Sequence, residues 1–328
     1  MKAIVRSRYG PPDVLALREV PTPVPGDGEV LVRIHAASVN RADLDYLTGR
    51  PLLTRMGTGL RRPRHAGLGL DAAGVVEAVG PGVTRFTSGD RVFGDLTAFG
   101  YGAFAEYACA SQMAWARIPA GVGFDVAATV PQAAILALQG LRGGRSIKPG
   151  DRVLVNGASG NVGPFAVQLA KSFGAEVTGV CSTGKMDFVR SLGADHVIDY
   201  TSQDYTRLAP RYDWILDVSA RRSFLAPRRA MRPGGRYVMA GGTTGAIFEA
   251  LLLGPPLSLA GSRKLGLLLW WKPFNEADVA TLSGLLVSGA IAPVIDRRYP
   301  LDGVPDALRA LAAGRPAGKL VISVRDGG

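Results

Sequence analysis

Over the first part of the chain, from Met1 to about Ala120, apolar and polar positions alternate in short runs. KAIVR from Lys2, EVLVRIHAASV from Glu29, AAGVVEAVG from Ala72, GDRVFG from Gly89 and GAFAEYA from Gly102 read as strands. Turns at Pro25, Gly26 and Gly28, and again at Pro81, Gly82 and Gly89, separate them. Asn40 to Gly49 predicts one or two helical turns at the edge of a cleft, and Arg50 to Gly69, with little periodicity, predicts an exposed loop. From Phe124 the rhythm changes to an apolar helix, FDVAATVPQAAILALQGLRGG. The buried-strand run Val153-Leu154-Val155 follows, then an amphipathic helix from Phe165 to Phe173 and a second strand, Glu176 to Cys181. Further strands near Val197, Ile215 and Val238 come at helix-separated intervals, as in a parallel doubly wound α/β sheet. Asn275 stands as the N-cap of a helix to Gly289, and GKLVISV predicts a last strand returned to the β-rich first domain.

Between the run ending at Val155 and the helix from Phe165 lie Gly157, Gly160 and Gly163, with Ser159, Asn161 and Val162 among them. Glycine at this spacing permits the tight turn, lets the main chain approach a pyrophosphate and lets helix pack on strand, while free N–H groups at the helix start meet phosphate charge. Strand, glycine turn, helix and strand within about 30 residues make this a dinucleotide-binding unit. An NAD-preferring site usually ends its second strand on an acidic residue. Here Cys181 is followed by Ser182, Thr183, Gly184 and Lys185, hydroxyls and an ammonium that suit the 2′-phosphate of NADPH. Gly241 and Gly242, after the fifth strand, allow the backbone to approach the nicotinamide side.

With 328 residues, 47% hydrophobic and 20% charged, the chain reads as a soluble two-domain protein. The net charge of +11 comes from scattered arginines without a basic stripe or interleaved aromatics, which argues against a nucleic-acid partner. Ala246 to Trp271 is the most apolar segment, but Pro255 and Pro256 break it and Arg263 and Lys264 charge it. It reads as a lid or subunit contact, with no integral membrane segment. Cys109 and Cys181 lack CxxC spacing and read as core residues, and the N-terminus has no apolar leader, so a cytoplasmic location is expected. His35, His65 and His196 share no metal-ligand spacing with one another or with the cysteines, so no metal site is expected.

The SVN-x-x-D segment Ser38–Asp43, the GLDAAGVVEAVGPGV segment Gly69–Val83 and the VLVNGASG-x-VG segment Val153–Gly163 together resemble the medium-chain dehydrogenase/reductase superfamily, in its zinc-independent, quinone-oxidoreductase-like branch. The resemblance implies a GroES-like catalytic domain from residues 1–122 and 273–328, a Rossmann domain from 123–272, a cofactor in the cleft between them, and a homodimer. Where zinc-dependent relatives carry a cysteine and a Gly-His-Glu, this chain has Ser38 or its neighbours and Gly69-Leu70-Asp71; their four-cysteine lobe is missing too. It further implies hydride transfer from NADPH, without zinc, to a lipophilic electrophile, a quinone or an α,β-unsaturated carbonyl. Asn40 is then the candidate hydrogen-bond donor to the developing negative charge, Asp43 its support, and Tyr46 a neighbouring candidate, with Asp45 in the place where relatives often have tyrosine. Tyr200 becomes an adenine-side contact, and Leu136 stands where a threonine commonly orients the nicotinamide. A zinc-free alcohol or aldehyde oxidoreductase and a non-catalytic, NADPH-binding or membrane-peripheral factor remain open alternatives.

Overall fold

The strand Glu29–Val39 is the spine of the first unit. It is long and almost wholly buried, and it pairs antiparallel with three others: Asp71–Val79, Tyr107–Ser111 and Lys319–Ser323. Arg91–Asp95 and Trp115–Arg117 continue the sheet beyond Asp71–Val79, and Ile295–Pro300 lies parallel to Lys319–Ser323 at the other edge. GKLVISV thus returns to the first domain as its pattern predicted. The core on this sheet includes Val32, Ile34, Leu68, Phe104, Trp115 and Leu320. In the computed structural model, residues 1–143, 145–208, 211–259, 261–268, 272 and 274–325 are described. The chain divides into Met1–Ile135, Pro273–Val287 and Pro293–Gly328 as one unit, and Leu136–Lys272 with Ser288–Ala292 as the other. The first crossing therefore falls after Ile135, later than residue 123 read from the sequence.

The second unit holds a six-stranded, all-parallel sheet in the spatial order His196–Asp199, Glu176–Cys181, Arg152–Asn156, Tyr212–Asp217, Met231–Met239, Lys264–Leu267. Numbered along the chain this is 3-2-1-4-5-6, the doubly wound dinucleotide fold, with its switch point between Arg152–Asn156 and Tyr212–Asp217. Val153, Leu154 and Val155 are completely buried, as expected of a strand covered on both faces.

Two local expectations are corrected. The helix Thr244–Leu259 runs through Pro255 and Pro256, where a break was expected. Each proline removes one N–H, but the carbonyls left without a donor belong to the exposed Leu251 and Leu252, where water replaces it. Leu269 to Trp271, the end of that apolar segment, lie outside the described residues. No helix among the described residues is long and apolar enough to cross a membrane. Within the expected loop Arg50–Gly69, Thr54–Thr58 form a short helix, and Thr58 is buried against the Tyr9 hydroxyl at 2.7 Å. Asn275 does cap the helix Glu276–Val287, its Oδ1 accepting the Asp278 N–H at 3.1 Å.

Candidate active site

In the second unit, two of the three glycines are demanded by the protein itself. Gly157 has φ +83, and a Cβ there would lie 2.9 Å from Val218 across the switch point; at Gly163 a Cβ would lie 2.2 Å from the Gly157 carbonyl oxygen. Gly160 differs: a Cβ would meet nothing nearer than the Gly157 oxygen at 3.6 Å. Packing within the protein therefore does not require glycine at Gly160. Ser159 is buried beside it, Asn161 and Val162 complete the turn, and the helix Gly163–Ser172 follows. Gly241 and Gly242 are crowded by the 218–220 turn, where added Cβ atoms would sit 3.1 Å from the Val218 oxygen and 2.7 Å from the Ala220 oxygen. That crowding alone accounts for glycine at both positions.

At the end of the second strand, Ser182 precedes a turn of 3-10 helix, Thr183–Lys185. The Thr183 hydroxyl donates to Asp199 at 2.5 Å, and Tyr200 lies half exposed with its N–H on the Cys181 carbonyl. The sequence reading missed Asp199, whose carboxyl is held below the usual range by hydrogen bonds from Thr183 and Thr201. It missed a second acid too. Asp217, buried at the switch point, accepts Asn156 Nδ2 at 2.7 Å, the Ser219 N–H at 3.0 Å, and the hydroxyls of Tyr237 at 3.1 Å and Tyr205 at 3.3 Å.

In the first unit the chain ends converge on Asp71. The register sets Ser38 opposite Asp71, and Val39 opposite Leu320, the residue after Lys319. Asp71 Oδ2 accepts Asn40 Nδ2 at 2.9 Å, Ser38 Oγ at 3.2 Å and the Gln132 N–H at 3.4 Å, with Lys319 Nζ at 3.7 Å. Lys319 Nζ also donates to Asn40 Oδ1 at 2.6 Å. Asn40 opens the helix Arg41–Thr48 in a reciprocal capping box: Asp43 accepts the Asn40 N–H at 2.7 Å, and the Asn40 side chain caps the Asp43 N–H. The same Asn40 side chain also joins the network. Asp43, Asp71 and Lys319 are buried to 1% exposure or less, Asn40 and Asp95 to 2%. Burial pushes all three carboxyls up and the lysine down; Asp71 rises to about 7 despite the opposing pull of Lys319. One ammonium among three buried carboxyls means that the cluster holds protons at neutral pH.

Beside it stands an aromatic group. The Tyr46 ring lies 5.2 Å from that of Tyr101, which meets exposed His65 edge-on at 5.6 Å. Burial pushes the Tyr46 phenol up, so it stays protonated at neutral pH. Tyr101 has φ +68, unusual for a residue other than glycine. Cys109 and Cys181 are free thiols pushed up by burial to about 12 and about 11, which fits core residues rather than nucleophiles. Among the described residues, no group of three or more His, Cys, Asp or Glu is placed to hold a metal ion.

A dinucleotide sheet with its glycine turn, and a second unit whose β-sheet buries a polar network at a strand end, define a nicotinamide-dependent oxidoreductase. Comparison with known proteins agrees. Residues 26–120 match the alcohol dehydrogenase GroES-like domain and residues 192–322 the zinc-binding dehydrogenase family. Human quinone oxidoreductase is 31% identical over 98% of this chain and 97% of its own length. A pikromycin polyketide synthase component, PikAII of Streptomyces venezuelae, is 32% identical over 92% of this chain, which spans only 8% of that protein. A mycobacterial protein solved in complex with NADPH superposes with a TM-score of 0.82 at 28% identity, over 98% of this chain and all of that one. The chain belongs to the medium-chain dehydrogenase/reductase superfamily, as a quinone-oxidoreductase-like, NAD(P)H-dependent oxidoreductase.

Proposed function

We propose that the protein is an NADPH-dependent reductase of quinones or α,β-unsaturated carbonyls that works without zinc. The observation that carries this reading is the Lys319 ammonium, 3.7 Å from the Asp71 carboxylate and 2.6 Å from Asn40. In this buried region the donors are a hydroxyl from Ser38, an amide from Asn40 and the carboxyls of Asp71, Asp43 and Asp95 facing one lysine, with no thiol or imidazole among them and apolar Leu70 beside Asp71. Zinc favours thiolate and imidazole ligands, and a divalent ion beside Asp71 would meet the ammonium at short range in a medium that screens poorly. Without a Lewis acid, oxidation of a simple alcohol loses its usual means of stabilising the alkoxide. Quinones and enones accept hydride through their own conjugation, and a hydrogen-bond donor at the oxygen suffices.

Held at the glycine turn, NADPH would supply the hydride, with a proton from water completing the reduction. Gly160 would leave room for the pyrophosphate, and the hydroxyl of Ser182 and the ammonium of Lys185, at the end of the second strand, would suit a 2′-phosphate. Asn40 Nδ2 has one hydrogen on Asp71 and a second with no protein partner among the described residues, available to the substrate oxygen. The relative solved with NADPH supports the coenzyme and human quinone oxidoreductase the substrate class.

The test is coenzyme oxidation with NADPH and NADH, each offered a 1,4-quinone, a short enone and a simple aldehyde. Turnover of quinone or enone with NADPH is expected. Turnover of aldehyde alone moves the reading to an alcohol/aldehyde oxidoreductase, and tight NADPH binding without turnover of any electrophile moves it to a non-catalytic binding protein.

A further inference from the structure

We infer that Lys319 is a positioning residue for Asn40: it fixes which end of the amide faces the substrate. This rests on the reading of Asn40 as the donor to the substrate oxygen. An ammonium can only donate and, above about pH 7 where Asp71 is ionised, its carboxylate can only accept. Lys319 Nζ lies 2.6 Å from Asn40 Oδ1, and Asp71 Oδ2 lies 2.9 Å from Asn40 Nδ2, so the two charged groups grip opposite ends of one amide. The flipped amide would set NH₂ against ammonium and oxygen against carboxylate, two repulsive contacts in place of two charge-assisted hydrogen bonds. With all three side chains buried, water cannot take over either partner cheaply. The second Nδ2 hydrogen, held in the amide plane, is thereby given one direction.

Asp43 accepts the Asn40 backbone N–H, a half of the capping box that does not involve Lys319. Asp71 has further donors in Ser38 and the Gln132 N–H, so it stays anchored if the lysine is lost. Lys319 Nζ is the charged donor to Asn40 Oδ1, beside the Asp43 N–H of the capping box. Removing the lysine takes away the stronger donor and loosens the amide, while the Asp71 carboxylate keeps its other bonds. The positioning comes from opposite ends of the sequence, and neither residue touches the transferred hydride in this account.

A double-mutant cycle with K319M and N40A tests the inference, read by kinetics and by the side-chain NH₂ signals of Asn40 in the NMR spectrum of the isotopically labelled protein. If Lys319 acts through Asn40, K319M lowers kcat for a 1,4-quinone by about 10- to 100-fold in the wild-type background, in the range seen when one oxyanion donor is misplaced. In the N40A background it lowers kcat by less than about twofold, and KM for NADPH is unchanged in both. The two Asn40 NH₂ protons, shifted from random-coil positions and slow to exchange with solvent in the wild type, move toward random-coil shifts and exchange faster in K319M. Equal losses of kcat in the two backgrounds would overturn the inference, and so would unchanged Asn40 signals. Should K319M alone fold poorly, K319Q replaces the charged donor by a neutral one with Asp71 intact, and its Asn40 signals are read the same way. Absence of quinone turnover by the wild type would sink the functional reading, while the NMR readout would still decide whether Lys319 fixes the amide.

Discussion

Lys319 and Asn40 are 279 positions apart in the chain and 2.6 Å apart in the fold. The contact exists because the last strand, Lys319–Ser323, lies antiparallel against Glu29–Val39 and brings the start of one to the end of the other. The same pairing brings the ammonium to Asp71, and several measurable consequences follow from that buried charge.

Stability should depend on pH through Asp71. Burial, the largest influence, raises its carboxyl to about 7, against about 4 in an unfolded chain. Between those values the folded protein keeps a proton that the unfolded chain has released. The contribution of this group is therefore fully present below about pH 4 and is lost as pH rises through about 7. Urea midpoints of wild type and D71N should show the wild type losing ground on the variant from about pH 4 to about pH 7. A difference that is flat or widens in favour of the wild type would contradict this.

The glycines of the nucleotide turn should separate into two kinds. G163A forces a Cβ to 2.2 Å from a backbone oxygen, and a loss of about 3 kcal/mol or more in unfolding free energy is expected. G160A should fold with stability within about 1 kcal/mol of wild type, yet bind NADPH at least about tenfold more weakly, as read by fluorescence titration. Equal effects of the two substitutions on folding would remove the ligand-based reason for glycine at Gly160.

K185A should lower the preference for NADPH over NADH by about 10- to 100-fold in kcat/KM, the size of one hydrogen-bonded charge, without loss of NADH turnover. A proportionate fall with both coenzymes would mean that Lys185 does not meet the 2′-phosphate. The carboxylate of Asp199, bonded to Thr183 at 2.5 Å, tempers the preference from the neighbouring strand, so D199N should strengthen it.

Asp217 should matter for folding rather than for coenzyme choice. D217N sets an NH₂ among four donors, and a cost of about 2–4 kcal/mol is expected in urea unfolding. A cost below about 1 kcal/mol would show that water satisfies those donors in the variant.

Much of this fold is legible locally. The apolar run Val153–Val155, the glycines after it and the hydroxyls ending the second strand announce a dinucleotide unit through short-range spacing alone. Asn40 and Asp43 were readable as a pair because helix capping works over three residues. Lys319 was not: in sequence it is a charged residue opening an apolar strand, and only long-range pairing shows that it is buried on Asp71. Asp217 was hidden for the same reason, since its tyrosine partners lie on other strands and loops. The helix through Pro255 and Pro256 escaped because proline reads as a break, whereas here the residues it deprives of a donor, Leu251 and Leu252, are exposed.

The most direct measurement is quinone-dependent oxidation of NADPH by protein dialysed against a strong chelator, compared with the same protein after zinc is added back. Unchanged turnover, with metal content well below one ion per chain, is the expected result. Turnover lost on chelation and restored by zinc would contradict the central claim that the Lys319, Asp71 and Asn40 network stands where zinc-dependent relatives use a metal.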